Sequence, residues 1–177
     1  NVISESNPAL FSKPYSELTL AEKMDALGKL HGKLDPEQLP DEMAKNTLSS
    51  IYAMKQIQLY NGEQGCHRYI ISNNGSVVNV LEAFAMIRLC DWENPTVDVI
   101  PLFETVEDLQ VADQVMETLY THPAYKKHLK NRGNKQSIML GFSDGTKDGG
   151  YLMANWGIFT AKERLTSISR KHGITAL

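Results

Sequence analysis

Apolar positions recur at helical spacing in the first third of the chain and then give way to short apolar runs separated by further helical stripes. Residues 18–30 place Leu20, Met24, Leu27 and Leu30 on one face, with Thr19 positioned to cap and Glu22 three residues later, which predicts an amphipathic helix. Pro36 and Pro40 bracket a turn. From Asp41 onward, Met43, Leu48, Ile51, Tyr52, Met54, Ile57 and Tyr60 predict a longer helix closed at Asn61-Gly62. The lead-in before residue 18 carries Pro8, Pro14 and scattered serines and predicts irregular structure. Residues 1–62 therefore read as a helical segment, a hairpin of two helices.

From Cys66 the pattern alternates between strand and helix. Tyr69, Ile70 and Ile71 predict a short strand, Asn73-Asn74-Gly75 a turn, and Val77, Val80, Leu81, Phe84 and Ile87 a helix. Residues 97–103, VDVIPLF, predict a second buried strand. Thr105 with Asp108 starts a helix whose inner face is Leu109, Ala112, Met116, Leu119 and Tyr120. His122-Pro123 breaks it, a short helix surrounds residues 125–129, and a third strand is expected over residues 136–142. A last helix over residues 148–172 is expected to turn Leu152, Trp156, Phe159, Leu165 and Ile168 inward. Residues 63–177 thus form three βα units, whose continuous apolar strands argue for a parallel sheet. Three strands cannot close a barrel, which takes about eight. The fold class is α/β, either a small open domain or part of a larger barrel.

A chain of 177 residues suits one domain with a real core, and 22% charged and 42% hydrophobic residues are ordinary globular values. A net charge of -3 gives no global reason to expect nucleic acid or an anionic membrane as partner. No apolar run is long enough to span a bilayer, and residues 1–11 lack the layout of a signal peptide. Cys66 and Cys90 are too few for a disulfide framework or a zinc site, which points to a reducing cytoplasm.

The stretch IMLGFSDGTKDGGY over residues 138–151 switches from apolar strand to Gly, Ser, Asp and Lys, placing polar groups at a strand's carboxyl end, where α/β folds bind ligands. Asp144, Lys147 and Asp148 are candidates there, and Glu104 occupies the equivalent tip of the preceding strand. If the two strands are neighbours, about 5 Å apart, Glu104 and Asp144 face one crevice. Paired carboxylates suit a hard cation such as Mg²⁺ or Mn²⁺, with water and an anionic substrate completing its coordination. Lys147 would bring positive charge to the same place for a phosphate or carboxylate. The same acids also suit the capping of the two following helices. Gly141, Gly145, Gly149 and Gly150 give the loop a phosphate-cradle character without a nucleotide fingerprint. The basic run from Lys126 to Lys135 could meet nucleic acid but reads as a solvated loop, and the five histidines show no metal-ligand spacing.

PLFET at residues 101–105, GFSDGTKDGG at 141–150, Asn155-Trp156 and YIIS at 69–72 followed by VLE resemble, in order, the motifs of the phosphoenolpyruvate carboxylase family. The resemblance covers residues 68–177. It implies a partial TIM-type barrel, Glu104 and Asp144 as ligands of Mg²⁺ or Mn²⁺, and Lys147 as an active-site lysine near phosphoenolpyruvate and bicarbonate. The implied reaction makes oxaloacetate and phosphate. Gly145, Thr146 and the Val78-Asn79 pair depart mildly from the family pattern. The family's arginine- and glycine-rich loop and its upstream helical half are not in these residues, so the expectation is an inactive piece that binds metal weakly and self-associates. Two other classes remain open: a free-standing α/β module that binds a phosphorylated small molecule without turnover, and an interaction domain.

Overall fold

A computed structural model describes residues 2–177, apart from the side chain of Asp148. The chain divides into two compact units, one comprising the residues up to His67 with Leu81–Val97, the other Arg68–Val80 with Asp98–Leu177.

The first unit is helical. A short helix α1 (Val2–Ser6) precedes α2 (Leu20–Lys29), which begins with a complete capping box. The Thr19 backbone N–H donates to the Glu22 carboxylate at 2.8 Å, and the Glu22 N–H donates to the Thr19 hydroxyl at 3.3 Å. Helix α3 (Glu42–Asn61) is capped by Asp41, which accepts from the Ala44 N–H, and stops at Gly62, whose φ of 82° a side chain would resist. Leu48 and Ile51 are fully buried as the spacing predicts, but Met43, Ile57 and Tyr60 are exposed, so the buried stripe of α3 is narrower than its apolar content. The last two turns of α4 (Val77–Arg88) belong to this unit, and its Arg88 guanidinium donates to the Gly28 carbonyl at 2.9 Å.

The second unit holds a three-stranded parallel sheet in the order β1 (Arg68–Ile71), β2 (Asp98–Phe103), β4 (Met139–Leu140). Its register aligns Ile71 with Pro101 and Phe103 with Leu140. The expected third strand over residues 136–142 is shorter than predicted. It divides into β3 (Lys135–Gln136), which pairs with β5 (Thr175–Ala176), and β4, which pairs with β2. The cause is Gln136, whose buried side-chain amide donates to the carbonyls of Val99 at 2.9 Å and Ser137 at 2.8 Å, and accepts from the Tyr125 hydroxyl at 2.9 Å. A side chain so engaged holds the backbone away from continuous pairing with β2.

Helix α5 (Val106–Thr121) starts with the Thr105/Asp108 capping box and buries Leu109, Ala112, Met116, Leu119 and Tyr120 as predicted. The short helix α6 (Pro123–Asn131) carries Lys126, Lys127, His128 and Lys130, so most of the basic run is helical and not the loop expected, with His128 and Leu129 buried and Arg132, just past the helix, donating to Asp98 at 2.6 Å. Helix α7 (Ser143–Lys171) begins earlier than expected and is interrupted at Gly150, where φ is 78° and ψ 164°. Its inward face also differs from the prediction. Ala154, Ala161, Leu165 and Ser169 are buried, whereas Leu152, Trp156 and Phe159 are 80, 60 and 53% exposed. Small residues decide this: a Cβ at Gly157 would stand 3.3 Å from the Leu109 side chain, so the Gly/Ala stripe is the face that lets α7 approach α5.

Candidate functional site

The site is assembled at the carboxyl ends of β1, β2 and β4, where neighbouring parallel strands release their chains on the same edge. Glu104 follows the last residue of β2. Because Phe103 pairs with Leu140, the next residue on the neighbouring strand, Gly141, comes opposite Glu104, and its N–H donates to the Phe103 carbonyl at 2.7 Å. A Cβ on Gly141 would lie 3.0 Å from the Glu104 Cα and 3.2 Å from its Cγ, and one on Gly145 would lie 3.3 Å from the Glu104 carbonyl oxygen. The glycines thus let the turn carrying Asp144 press against the residue carrying the other acid.

Capping does not occupy either carboxylate. The N-terminus of α5 is capped by Thr105 and Asp108, and Asp108 also accepts from the Glu104 N–H at 3.4 Å. The Glu104 side chain instead accepts from the Asn73 backbone N–H at 3.1 Å, which ties the loop after β1 to the tip of β2. At α7 the position before the helix is Phe142, with no side-chain cap, and Asp144 sits in the first turn. Asp144 is half exposed and accepts from the Lys147 ammonium at 2.8 Å. That bond, reinforced by the charge of Asp144, holds the Lys147 pKa above its ordinary value, so the lysine is cationic throughout the neutral range. The Asp148 side chain, also singled out in the sequence, lies outside the described residues.

The donor set is chemically of one kind, carboxylate oxygen, which suits a hard divalent cation. Among the described residues no cluster of three or more His, Cys, Asp or Glu is gathered. The described residues therefore offer two carboxylates near the strand ends and a lysine bonded to one of them.

One residue of the loop that reaches Glu104 carried no signal in the sequence. Asn74, read only as part of a turn, is fully buried, and neither its amide nitrogen nor its amide oxygen has a hydrogen-bond partner. A buried polar group left unpaired costs about 1–3 kcal/mol. Turn asparagines are ordinarily solvated, so only the packing of the loop reveals this one.

Comparison with known proteins bears on the family of the chain. A family model described as Phosphoenolpyruvate carboxylase matches residues 2–176, extending the likeness through the helical first third. The phosphoenolpyruvate carboxylase of Corynebacterium diphtheriae is 35% identical over 171 residues, covering 92% of this chain and 19% of the relative. That of Gloeobacter violaceus is 33% identical over 174 residues, covering 93% of this chain and 18% of the relative. The chain spans about a fifth of the length of these curated relatives. With a family match along nearly its whole length, this chain belongs to the phosphoenolpyruvate carboxylase family.

Proposed function

We propose that these residues form the cation-binding portion of a phosphoenolpyruvate carboxylase, in which Glu104 and Asp144 hold Mg²⁺ or Mn²⁺ and Lys147 meets an anionic group of the substrate. The single observation that carries this reading is the seating of the Asp144 turn on Glu104 through Gly141 and Gly145. The residues fit the ion: both donors are carboxylates, both are free of helix capping, and Glu104 is oriented by the Asn73 N–H. When bound, the cation would stabilise negative charge developing on the enolate oxygen of the substrate.

In the reaction proposed for the whole enzyme, bicarbonate oxygen attacks phosphorus, and the bond from phosphorus to the enol oxygen breaks. Carboxyphosphate and an enolate result. Carboxyphosphate releases carbon dioxide and phosphate, and the enolate carbon adds to carbon dioxide to give oxaloacetate. The part of this chain is binding and orientation: Lys147, cationic and near the N-terminus of α7, supplies positive charge for a carboxylate or phosphate, and the carboxylates supply the cation's protein donors.

The three parallel strands are proposed to belong to a barrel of TIM type, with residues 1–62 as a helical segment and 63–177 as its βα units. Against relatives about five times longer, this stretch alone is proposed to bind cation weakly without turnover, to associate with itself, and to act in the cytoplasm. Among the described residues no helix is long and apolar enough to cross a membrane. The test is Mn²⁺ binding followed by electron paramagnetic resonance. Glu104→Gln and Asp144→Asn should each weaken it at least tenfold with unchanged far-ultraviolet circular dichroism, and retention of wild-type affinity by both variants would refute the assignment.

A further inference from the structure

The loop between β1 and α4 is joined to the acidic rim in an unusual way. Among residues 72–75 the hydrogen bond to another element is the one from the Asn73 N–H to Glu104, at 3.1 Å. On the other side of Asn74, Gly75 is packed so closely on α5 that a Cβ there would lie 3.3 Å from the Asp108 carboxylate. Asn74 is therefore held between a residue that touches Glu104 and one that touches Asp108, and its amide is fully buried with donor and acceptor both unpartnered. Asn73, with a φ of 53°, adopts the left-handed conformation that asparagine tolerates. The loop thus combines strain with an unmet polar group, and that combination is characteristic of segments that find their partners in another state of the protein.

We propose that Asn74 is a positioning residue of the cation site, its amide hydrogen-bonding a water molecule of the hydrated divalent cation once Glu104 is engaged. This rests on the reading of Glu104 and Asp144 given above. Mg²⁺ and Mn²⁺ commonly retain water, whose hydrogens need acceptors, and an amide supplies one together with donors for a neighbouring anion. Groups that hydrogen-bond a metal's ligands from outside its coordination shell commonly change affinity by about 10- to 100-fold. An amide also serves this role without altering the charge of the site.

The prediction is a pair of opposite effects. In the absence of metal, Asn74→Leu, with the same branching and number of heavy atoms but no polar ones, should raise the melting temperature by removing the unpartnered amide. In an Mn²⁺ titration of the same 177-residue chain it should lower affinity about tenfold or more. Asn74→Ser, which keeps a donor and an acceptor, should recover part of the affinity, and a volume effect alone would not produce that recovery. If Asn74→Leu fails to fold, or melts lower than wild type without metal, the amide is already satisfied in the free protein and the inference is wrong. Wild-type Mn²⁺ affinity in Asn74→Leu and Asn74→Ser, alongside loss in Glu104→Gln, would sink this inference and spare the cation site. Insensitivity of all the variants, or no Mn²⁺ binding by the wild-type chain, would overturn both.

Discussion

Gly141 is packed on Glu104 with no room for a side chain, since a Cβ would come within 3.0 Å of the Glu104 Cα. The contact is backbone against backbone, so neither partner can rotate away. Gly141→Ala should destabilise the fold by about 1–3 kcal/mol and should also weaken Mn²⁺ binding, because Glu104 and Asp144 move with the chains that are forced apart. Denaturant unfolding and Mn²⁺ titration read the two effects. Unchanged values in both would mean that the strand tips separate freely and do not hold a defined geometry.

The exposed face of α7 bears on association. Trp156 and Phe159 stack with ring centroids 5.8 Å apart and are both more than half exposed, as are Tyr151 and Leu152. Apolar surface of this kind favours self-association. Sedimentation at high concentration should find a dimer or larger species, and Trp156→Lys should shift it toward monomer. A wild-type chain that remains monomeric up to its solubility limit would reject the idea.

Acid should loosen the start of α2. The Thr19 N–H, then the Thr19 hydroxyl and Lys13, hold the Glu22 carboxyl at a pKa of about 2 against its ordinary 4.5. A depressed carboxyl stabilises the folded state fully above its unfolded value, and the contribution is lost as pH falls from about 4.5 toward 2. A nuclear magnetic resonance titration should show the Glu22 midpoint near the lower value. In Glu22→Gln the loss of α2 structure across that window should flatten. A midpoint at 4.5 would indicate that the capping box is not formed in solution.

The two thiols should behave differently. Cys90 is fully buried, and burial pushes its pKa up to about 12, so almost no thiolate exists at neutral pH. Cys66 is only partly buried. A disulfide reagent at neutral pH should label one thiol rapidly and the second only on unfolding, and Cys66→Ser should abolish the rapid phase. Rapid labelling of Cys90 in the folded chain would contradict its burial.

Local chemistry was legible along the chain. Thr19 with Glu22 and Thr105 with Asp108 cap the helices their spacing predicts, because a capping bond needs only residues a turn apart. Glu104, just past β2, could be named for a related reason: where an apolar run ends, the next polar residue stands at the strand's end, whereas Asp144, expected at the tip of a strand reaching residue 142, lies in the first turn of α7 because that strand ends at Leu140. The strand lengths and the buried face of α7 were decided elsewhere. Nothing near residue 136 in sequence indicates that Gln136 will turn inward to bond the Val99 carbonyl, and the aromatic residues of α7 outweigh its alanines in any count of hydrophobicity. What selected the Gly157 and Ala161 side was the need to approach α5, a steric condition set by a helix dozens of residues away. Asn74 belongs with these, since whether an amide finds a partner depends on every group around it. Sequence alone determined which residues cap the helices; tertiary packing decided how far the strands run, which faces are hidden and which polar groups lack a partner, because those depend on surfaces that meet only in the folded chain.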